Sequence, residues 1–166
     1  MSALPSNLPA RPVAGREELQ LFYDLYNEAL DDLALERWPL FFTADCLYRI
    51  TARENWEAGL PLSTLVCESR GMMNDRVVGW RRTMTYAPRA YRRFQSGLRV
   101  VEATAEAVRV RSNFLVVQVL IDKPAEVAFV GVAHDRLVRD GDDLRLAERI
   151  CVLDSEMLPN SLIYPI

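Results

Sequence analysis

The amino-acid sequence predicts an α+β domain whose sheet is mostly antiparallel. Two observations carry this prediction. In the first half of the chain, apolar residues recur at spacings of three and four, which is the period of an amphipathic helix. After Pro88, four long stretches rich in β-branched residues follow one another, separated by turn-forming residues. Helices that precede consecutive hairpins are typical of α+β folds.

The chain has 166 residues, a length that fits one domain with a full hydrophobic core. Residues 1–15 contain three prolines and one charged side chain, and we expect them to form an N-terminal arm. Residues 16–166 are expected to form the single domain. The arm lacks the apolar stretch of a signal peptide, and no apolar run reaches the roughly 18 residues of a membrane helix. We therefore expect a cytoplasmic protein.

The predicted helices start with a long one at Arg16, whose apolar stripe consists of Leu19, Phe22, Tyr23, Tyr26, Leu30 and Leu33. A short helix is predicted for Leu35–Phe42. Within it, Pro39 is tolerated only in the first turn, because proline lacks an N–H and clashes with the preceding turn. A third helix is predicted for Met72–Met84, with a stripe formed by Met73, Val77, Trp80 and Met84.

The predicted strands start with Cys46–Thr51, followed by a loop at Asn55–Ser63 and a short strand at Leu65–Glu68. Four long strands complete the sheet, at Tyr91–Ala103, Glu106–Ile121, Val127–Arg139 and Asp143–Asp154. Asp140–Gly141 is a tight-turn signal between the last two strands, and Lys123–Pro124 separates the pair before them.

The C-terminal half of the second long strand is apolar on both faces. Its odd-numbered face carries Leu115, Val117, Val119 and Ile121, and its even-numbered face carries Phe114, Val116 and Leu120. An antiparallel sheet usually exposes one face to water, and three helices are enough to cover only one. This pattern favours a partner on the other face.

The C-terminal tail is a second apolar feature. Residues 157–166 have no charged side chain, so this tail is expected to dock on its own domain or on a partner.

The chain has too few histidines and paired cysteines for several kinds of metal site. The chain has one histidine, His134, and three scattered cysteines, Cys46, Cys67 and Cys151. A mononuclear iron site with two histidines and one carboxylate needs two imidazoles, and a Rieske cluster needs two imidazoles and two thiolates. The sequence also has no CxxC or HExxH zinc pattern. If this protein takes part in metal or redox chemistry, another chain must hold the metal.

The overall charge does not favour nucleic-acid binding. The net charge is -3 and the pI is near 5.3, so no overall attraction to polyanions exists. The run Arg89–Phe94 interleaves arginines with aromatic residues, as proteins that bind single strands do. Arginine is also favoured at protein interfaces, so we interpret this run as an ion-paired interface or a solvated edge.

Three residues are candidates for acid–base chemistry. Asp45 and Tyr48 could place an acid and a phenol at the mouth of a cavity, although the pair also suits a turn and an ordinary strand position. His134 and Asp135 are neighbours, but adjacent side chains of a strand point to opposite faces and cannot form a dyad. We interpret His134 as a packing residue of a core or an interface.

Six pieces of the chain occur in a characteristic order: Leu19–Leu33, Trp38, Asp45–Tyr48, Asn74–Val77, Ser112–Phe114 and Arg145–Asp154. From Glu17 onward this order resembles the small, or beta, subunit of the Rieske-type aromatic-ring-hydroxylating oxygenases. No single piece is chemically diagnostic, and the resemblance depends on order and spacing. The family commonly has histidine where Phe94 stands and asparagine where Gly97 stands, so any subunit contact through those groups is in doubt.

The resemblance implies an NTF2-like α+β cone, in which N-terminal helices pack inside a strongly curved, mostly antiparallel sheet. It implies a structural small subunit with no catalytic, cofactor-binding or metal-binding residues. The partner would be a large, or alpha, subunit carrying a Rieske [2Fe–2S] cluster and a mononuclear Fe(II), in a mixed hexamer with three copies of each chain. A ferredoxin and a reductase would supply electrons. The substrate would be an aromatic compound, for example an aromatic acid such as salicylate.

Two alternatives remain open at this point. A stand-alone NTF2-like isomerase or dehydratase would use Asp45, Tyr48 or His134 inside the cone. A stand-alone binding module for a small hydrophobic ligand would need an internal cavity, which a sequence does not display.

Overall fold

The computed structural model describes residues 13–83, 87–155 and 164–166. Within these residues it has three α-helices, one 3₁₀ helix and six strands. The helices are α1 (Arg16–Asp31), the 3₁₀ helix (Leu35–Phe41), α2 (Arg53–Glu57) and α3 (Arg70–Thr83). The strands are β1 (Phe42–Ala52), β2 (Leu65–Cys67), β3 (Arg89–Ala103), β4 (Ala107–Leu120), β5 (Glu126–Asp140) and β6 (Asp143–Leu153). The predicted order of helices and long strands is confirmed.

Helix α1 forms because its apolar residues repeat with the helical period and bury one face. The buried residues are Leu19, Phe22, Tyr23, Tyr26, Ala29 and Leu30. Glu17 and Glu18 lie in the first turn, where negative charge is favourable beside unpaired backbone N–H groups. The helix ends at Asp31, and Leu33 has a positive φ of 55°. Leu33 therefore lies beyond the helix and packs at the edge of the core.

Helix α3 agrees with the third predicted helix. Met73 and Val77 are buried, and Trp80 packs against the core from a half-buried position. Met84, the fourth residue of the predicted stripe, lies outside the described residues. The N-terminal arm is described only from Val13, whose N–H donates a hydrogen bond to the carbonyl oxygen of Thr104 at 3.2 Å.

Two local predictions are wrong. Pro39 lies inside the 3₁₀ helix rather than in the first turn of an α-helix. A short 3₁₀ helix bonds residue i to residue i−3, so the clash of proline with the i−4 carbonyl does not arise. The predicted loop Asn55–Ser63 begins with helical residues, which belong to α2. Because α2 buries none of its residues, no apolar period marks it in the sequence.

The strands form one sheet in the order β2-β1-β6-β5-β4-β3. Four neighbouring pairs are antiparallel, and β1 pairs with β6 in parallel. The prediction of a mostly antiparallel sheet is therefore confirmed. The parallel pair joins the first strand to the last, and no local sequence signal announces it. Gly131 lets β5 approach β6 closely, because a Cβ at this position would lie 2.0 Å from the Val152 carbonyl oxygen.

The core lies between the helices and the inner face of the sheet. Large buried side chains come from both layers, among them Tyr23, Trp38, Phe42, Tyr48, Leu137 and Leu146. The 3₁₀ helix contributes Trp38, whose ring packs edge-to-face on Tyr48 at 5.1 Å between centroids. The helices thus cover the inner face, and the architecture is the expected α+β cone.

Candidate functional site

The three candidate acid–base residues lie in different environments. Asp45 is exposed, beside an irregularity in the pairing of β1 with β6. Tyr48 is completely buried on the inner face of the sheet. His134 lies on the outer face of β5, half-buried. The fold does not bring the three side chains together, so they do not form a catalytic cluster.

Tyr48 is held in the interior by residue 166. Its hydroxyl accepts a hydrogen bond from the Ile166 N–H at 2.8 Å and lies 3.3 Å from the Ile166 carbonyl oxygen. Burial raises the pKa of Tyr48 well above its ordinary value. The phenol therefore stays protonated at neutral pH, which makes it a poor general base.

Tyr26 of α1 reaches the same carbonyl oxygen. Its hydroxyl donates to Ile166 at 2.9 Å and accepts a hydrogen bond from the Trp38 indole at 3.2 Å. Burial raises the pKa of Tyr26 as well, so both phenols remain neutral donors. The aromatic interior is therefore a fully connected hydrogen-bond network with the 164–166 segment as one of its members.

His134 stacks on Trp56 of α2, with ring centroids 5.1 Å apart and 23° between the ring planes. Its pKa is lowered below the ordinary value of 6.5, first by burial and then by the nearby Arg111 guanidinium. Asp135 lies on the opposite face of the sheet, inside the core, as the alternation of strand side chains predicts. His134 is thus a packing residue of the outer face.

A buried ion pair lies at the centre of the cone. Arg149 of β6 donates to the Asp135 carboxylate of β5 at 2.8 Å, and the Tyr23 hydroxyl donates to the same oxygen at 2.7 Å. The Arg149 guanidinium also lies 4.7 Å from the centroid of the Tyr26 ring. Burial raises the pKa of Asp135, and the neighbouring Arg149 opposes that rise.

Sequence analysis missed this pair, although a signal exists. Asp135 and Arg149 are direct partners in the β5–β6 register, and both occupy inward positions of otherwise apolar strands. Charged residues on a buried face are found mainly as pairs. A search of the predicted hairpin for opposite charges at facing inward positions could have found them.

A second ion pair fixes the edge of the sheet to α1. Arg93 of β3 donates to the Asp31 carboxylate at 2.7 Å and to the Pro165 carbonyl oxygen at 2.6 Å. Only 4% of the Arg93 side chain is exposed. The basic run Arg89–Phe94 is thus divided between two faces, with Arg93 inside and the Phe94 side chain outside. Arg93 is therefore ion-paired within its own domain, and the predicted interface role of the run stays a prediction.

The described part of the tail packs on its own domain. Tyr164 and Ile166 are buried, and the Tyr164 ring packs edge-to-face on Tyr91 at 5.5 Å. The tail was expected to dock on its own domain or on a partner, and residues 164–166 dock on their own domain. Residues 156–163 lie outside the described part of the chain.

The outer face of β3, β4 and β5 carries an apolar surface that no described residue covers fully. We call it the apolar band, defined by Phe94, Leu115, Val117, Val119, Val127 and Val130. Phe94, Leu115 and Val130 form one row across the three strands, and Val117 faces Val127 in the next row. Phe94 is 56% exposed and Val127 is 61% exposed. The outer face of β4, the strand predicted to be apolar on both faces, is therefore exposed to solvent in part.

The apolar band borders on cations. Arg92 lies opposite Val117 on the outer face of β3, with an exposed side chain. Further along the strands, Arg111 lies between Arg99 of β3 and His134 of β5. An apolar centre with arginines around it is the composition of a protein–protein interface.

Metal ligands do not converge in the residues that the structure describes. No group of three or more His, Cys, Asp or Glu side chains is placed to hold an ion there. The three cysteines are buried, and burial raises the pKa of Cys46 and of Cys151 to about 11. Burial therefore disfavours the reactive thiolate form of these two side chains. Across residues 13–83, 87–155 and 164–166, the helices are too short or too polar to span a membrane.

Comparison with known proteins decides the family. The family described as ring hydroxylating beta subunit matches residues 27–160. The small subunit of anthranilate 1,2-dioxygenase from Burkholderia cepacia is 34% identical over 149 residues, which are 90% of this chain and 92% of that protein. This chain belongs to the ring-hydroxylating beta subunit family.

Two further proteins agree with this assignment. Subunit beta 1 of the terminal oxygenase component of terephthalate 1,2-dioxygenase from a Comamonas species is 29% identical over 149 residues, which cover 90% of this chain and 97% of that protein. A crystal structure assigned as the beta subunit of an aromatic-ring-hydroxylating dioxygenase from Novosphingobium aromaticivorans has a TM-score of 0.83 and 31% identity, covering 91% and 96% of the two chains. The beta subunit assignment and its NTF2-like cone, both implied by the sequence resemblance, are confirmed.

Proposed function

We propose that this beta subunit is a structural, non-catalytic component that assembles with an iron-bearing large subunit of an aromatic-ring-hydroxylating dioxygenase. The observation that carries the proposal is the apolar band. Its residues lie on regular strands, so the surface is preformed, and its two cross-strand rows leave Phe94 and Val127 more than half exposed. A contiguous exposed apolar surface bordered by arginines favours a protein partner.

The interior supports the non-catalytic role. Tyr26 and Tyr48 are neutral and engaged with Ile166, and Asp135 is engaged with Arg149. A general base needs a pKa near the working pH and access to the substrate proton. Asp45 and His134, which the alternative isomerase or dehydratase would use, lie away from this interior. We therefore favour the structural role over the stand-alone enzyme.

The proposal assigns the iron chemistry to the partner. The large subunit would hold a Rieske [2Fe–2S] cluster and a mononuclear Fe(II), because each of these sites needs two imidazoles and this chain has one histidine. A mixed hexamer with three copies of each chain, electron supply by a ferredoxin and a reductase, a cytoplasmic location and one domain over residues 16–166 remain predictions.

The names of the relatives support an aromatic acid as the substrate. Anthranilate and terephthalate, in the names of the two relatives, are both aromatic carboxylates. We propose an aromatic acid for the complex that contains this chain, with salicylate as one example. Competing turnover of a set of benzoates by the purified complex would test this proposal.

The first experiment compares the chain alone with the chain co-expressed with its large subunit. We expect an iron-free protein without oxygenase activity in the first case, and a stable mixed complex that contains iron in the second. Size-exclusion chromatography with light scattering and iron analysis measure both. A monomer that does not bind the large subunit and that converts a carbonyl substrate on its own would contradict the proposal.

The second experiment tests the apolar band directly. Phe94→Glu places a charge in the band and should abolish co-purification, because burying an unpaired charge at an interface is costly. Leu62→Glu is the matched control, since Leu62 is 59% exposed and lies in the loop before β2, outside the band. Circular dichroism checks that both variants fold. Retention of the complex by folded Phe94→Glu would remove the band from the interface.

A further inference from the structure

A groove that is open to solvent lies between α1, the 3₁₀ helix and the hairpin of β5 and β6. Its volume is ≈ 390 Å³. Leu21 and Leu25 of α1 and Leu40 of the 3₁₀ helix line it with exposed side chains. Phe22 and Phe41 also line it, and their rings pack edge-to-face with centroids 5.7 Å apart. The groove therefore has an apolar floor, and its three leucines stay exposed among the described residues.

Two arginines of the hairpin join the walls of this groove. Arg139 donates to the Glu18 carboxylate of α1. Arg145 donates to the Leu40 carbonyl oxygen of the 3₁₀ helix and to the Asp143 carboxylate of its own strand. Each guanidinium thus ties the hairpin to one of the two helices, so the walls are fixed relative to each other and the groove is preformed.

The N-terminal arm joins the described part of the chain at the rim of this groove. Arg139, a lining residue, donates from Nε to the Val13 carbonyl oxygen at 3.2 Å. On its other side, the Val13 N–H donates to the Thr104 carbonyl oxygen at 3.2 Å. Residues 1–12, which lie outside the described residues, directly precede this anchored position. The chain therefore enters the domain beside the groove.

The length of the groove is within reach of these residues. The α1 wall from Glu18 to Leu25 rises about 10 Å, at 1.5 Å per helical residue. Leu8 lies five residues before Val13, and five residues in the polyproline II conformation extend about 16 Å. Leu8 can therefore reach the exposed leucines of the α1 wall from the anchored position of Val13.

The composition of residues 1–12 matches the groove. They contain the repeated pairs Leu4–Pro5 and Leu8–Pro9, followed by Arg11 and Pro12. Proline-rich segments adopt the polyproline II conformation and bind in grooves lined with aromatic side chains. Arg11 is the only charged side chain among them, whereas the groove lining has three acidic residues and two arginines. Both arginines already form ion pairs, so the lining favours a cation.

We propose that this groove is the docking site of the chain's own N-terminal arm, with Leu8 against Leu21 and Leu25 and with Arg11 beside the acidic residues of the rim. Docking removes exposed apolar surface of the groove from water, which stabilises the bound arm. The inference does not depend on the proposed partner subunit, because none of the residues that line the groove belongs to the apolar band.

The first test is a disulfide between the arm and the groove in the full chain. Leu8→Cys combined with Leu21→Cys should form a disulfide within one chain on oxidation with diamide. A second pair, Leu8→Cys with Leu25→Cys, covers a shift of one helical turn, because a disulfide needs Cα atoms within about 7 Å. The native cysteines are buried and do not compete. Non-reducing electrophoresis and peptide mass mapping identify the products.

The matched control pairs Leu8→Cys with Leu62→Cys, because Leu21 and Leu62 are both 59% exposed and Leu62 lies in the loop before β2. At least one groove pair should close about tenfold faster than the control, since docking raises the effective concentration of the two thiols. Equal rates for all three pairs would overturn the proposal. Disulfides that link two chains would also overturn it, because the groove would then take the arm of a second copy.

A mutant cycle measures the same contact without new thiols. Leu8→Ala should lower the thermal midpoint of the full chain by about 2–4 °C, because the docked arm stabilises the folded state. In a chain that already carries Leu25→Ala, Leu8→Ala should have a clearly smaller effect, since its contact is gone. In a chain that carries Leu62→Ala, the full loss should remain. An unchanged midpoint with Leu8→Ala, or equal losses in both backgrounds, would contradict docking in this groove.

Discussion

The two faces of the sheet differ in how their polar and apolar groups are arranged. The inner face combines large apolar side chains with a charged pair, Asp135 and Arg149, whose groups bond to each other and to Tyr23. The outer face of β3–β5 carries the apolar band, which lacks such internal partners. Among the described residues, the inner face is covered by the helices and by the 164–166 segment, whereas the outer face exposes Phe94 and Val127.

This difference separates stability from assembly within one sheet. A buried charge or phenol affects the folding of the isolated chain, because the interior offers few other partners. A substitution in the apolar band should change the stability of the isolated chain little. Its effect should instead be on the binding of the partner that covers the band. Even and odd positions of the same strand should therefore respond differently to mutation, and this can be measured.

The largest effect is expected at the buried ion pair. Asp135→Asn leaves the Arg149 guanidinium buried without its counter-charge, and should lower the free energy of unfolding by about 3–5 kcal/mol. Urea denaturation of the isolated chain measures the loss. Glu36→Gln is the control, because it breaks the exposed pair between Glu36 and Arg81 and should leave the urea midpoint unchanged. Equal responses of the two variants would erase the distinction between the interior and the surface.

The next effect compares two positions of β5. Leu137 is fully buried on the inner face, and Leu137→Ala should cost about 2–5 kcal/mol of unfolding free energy, through lost transfer energy and a cavity. Val130 is 40% exposed on the outer face, and Val130→Ala should change the stability of the isolated chain by less than about 0.5 kcal/mol. A large loss with Val130→Ala would show that the outer face already contributes to the fold without a partner.

The buried phenols predict a loss of stability at alkaline pH. The pKa values of Tyr26 and Tyr48 are raised above the ordinary value of 10.0 by burial, so the unfolded chain releases protons that the folded chain retains. Their contribution is present below pH 10 and is lost as the pH rises through the raised folded values. Each phenol adds a slope of up to about 1.4 kcal/mol per pH unit.

Urea unfolding between pH 8 and pH 11, an interval of about three units around the ordinary tyrosine pKa, measures this slope. Tyr48→Phe should lower the stability at neutral pH, because it removes the acceptor for the Ile166 N–H, and should also make the alkaline decline less steep. An unchanged alkaline slope in this variant would show that Tyr48 ionises normally in the folded chain.

The smallest effect is expected on the outer face, at His134. Its folded pKa lies below the ordinary value of 6.5 because of burial and Arg111. Its contribution to stability is therefore present above pH 6.5 and is lost as the pH falls through the folded value. As the chain has one histidine, the only imidazole Cε1–H resonance of the protein reports its titration by NMR. A midpoint at or above 6.5 would contradict the stacked, half-buried position on Trp56.

Much of the fold could be predicted from local patterns. The helical period of Leu19–Leu30, the Asp140–Gly141 turn and the β-branched runs place α1 and the four long strands within a few residues of their positions in the structure. Helix α2 could not be predicted from an apolar period, because none of its residues is buried. The position of Pro39 could not be predicted either, because a 3₁₀ helix relaxes the restriction on proline.

The sequence by itself determined the class of fold, the family and the open apolar face of β4, because the spacing of apolar residues along a strand fixes which side chains share a face. It also determined that His134 and Asp135 lie apart. Only the tertiary structure decided that Asp135 meets Arg149, that Arg93 meets Asp31, and that Ile166 meets Tyr26 and Tyr48. These contacts join residues distant in the chain, so their formation depends on strand register and the path of the tail, which no local pattern specifies.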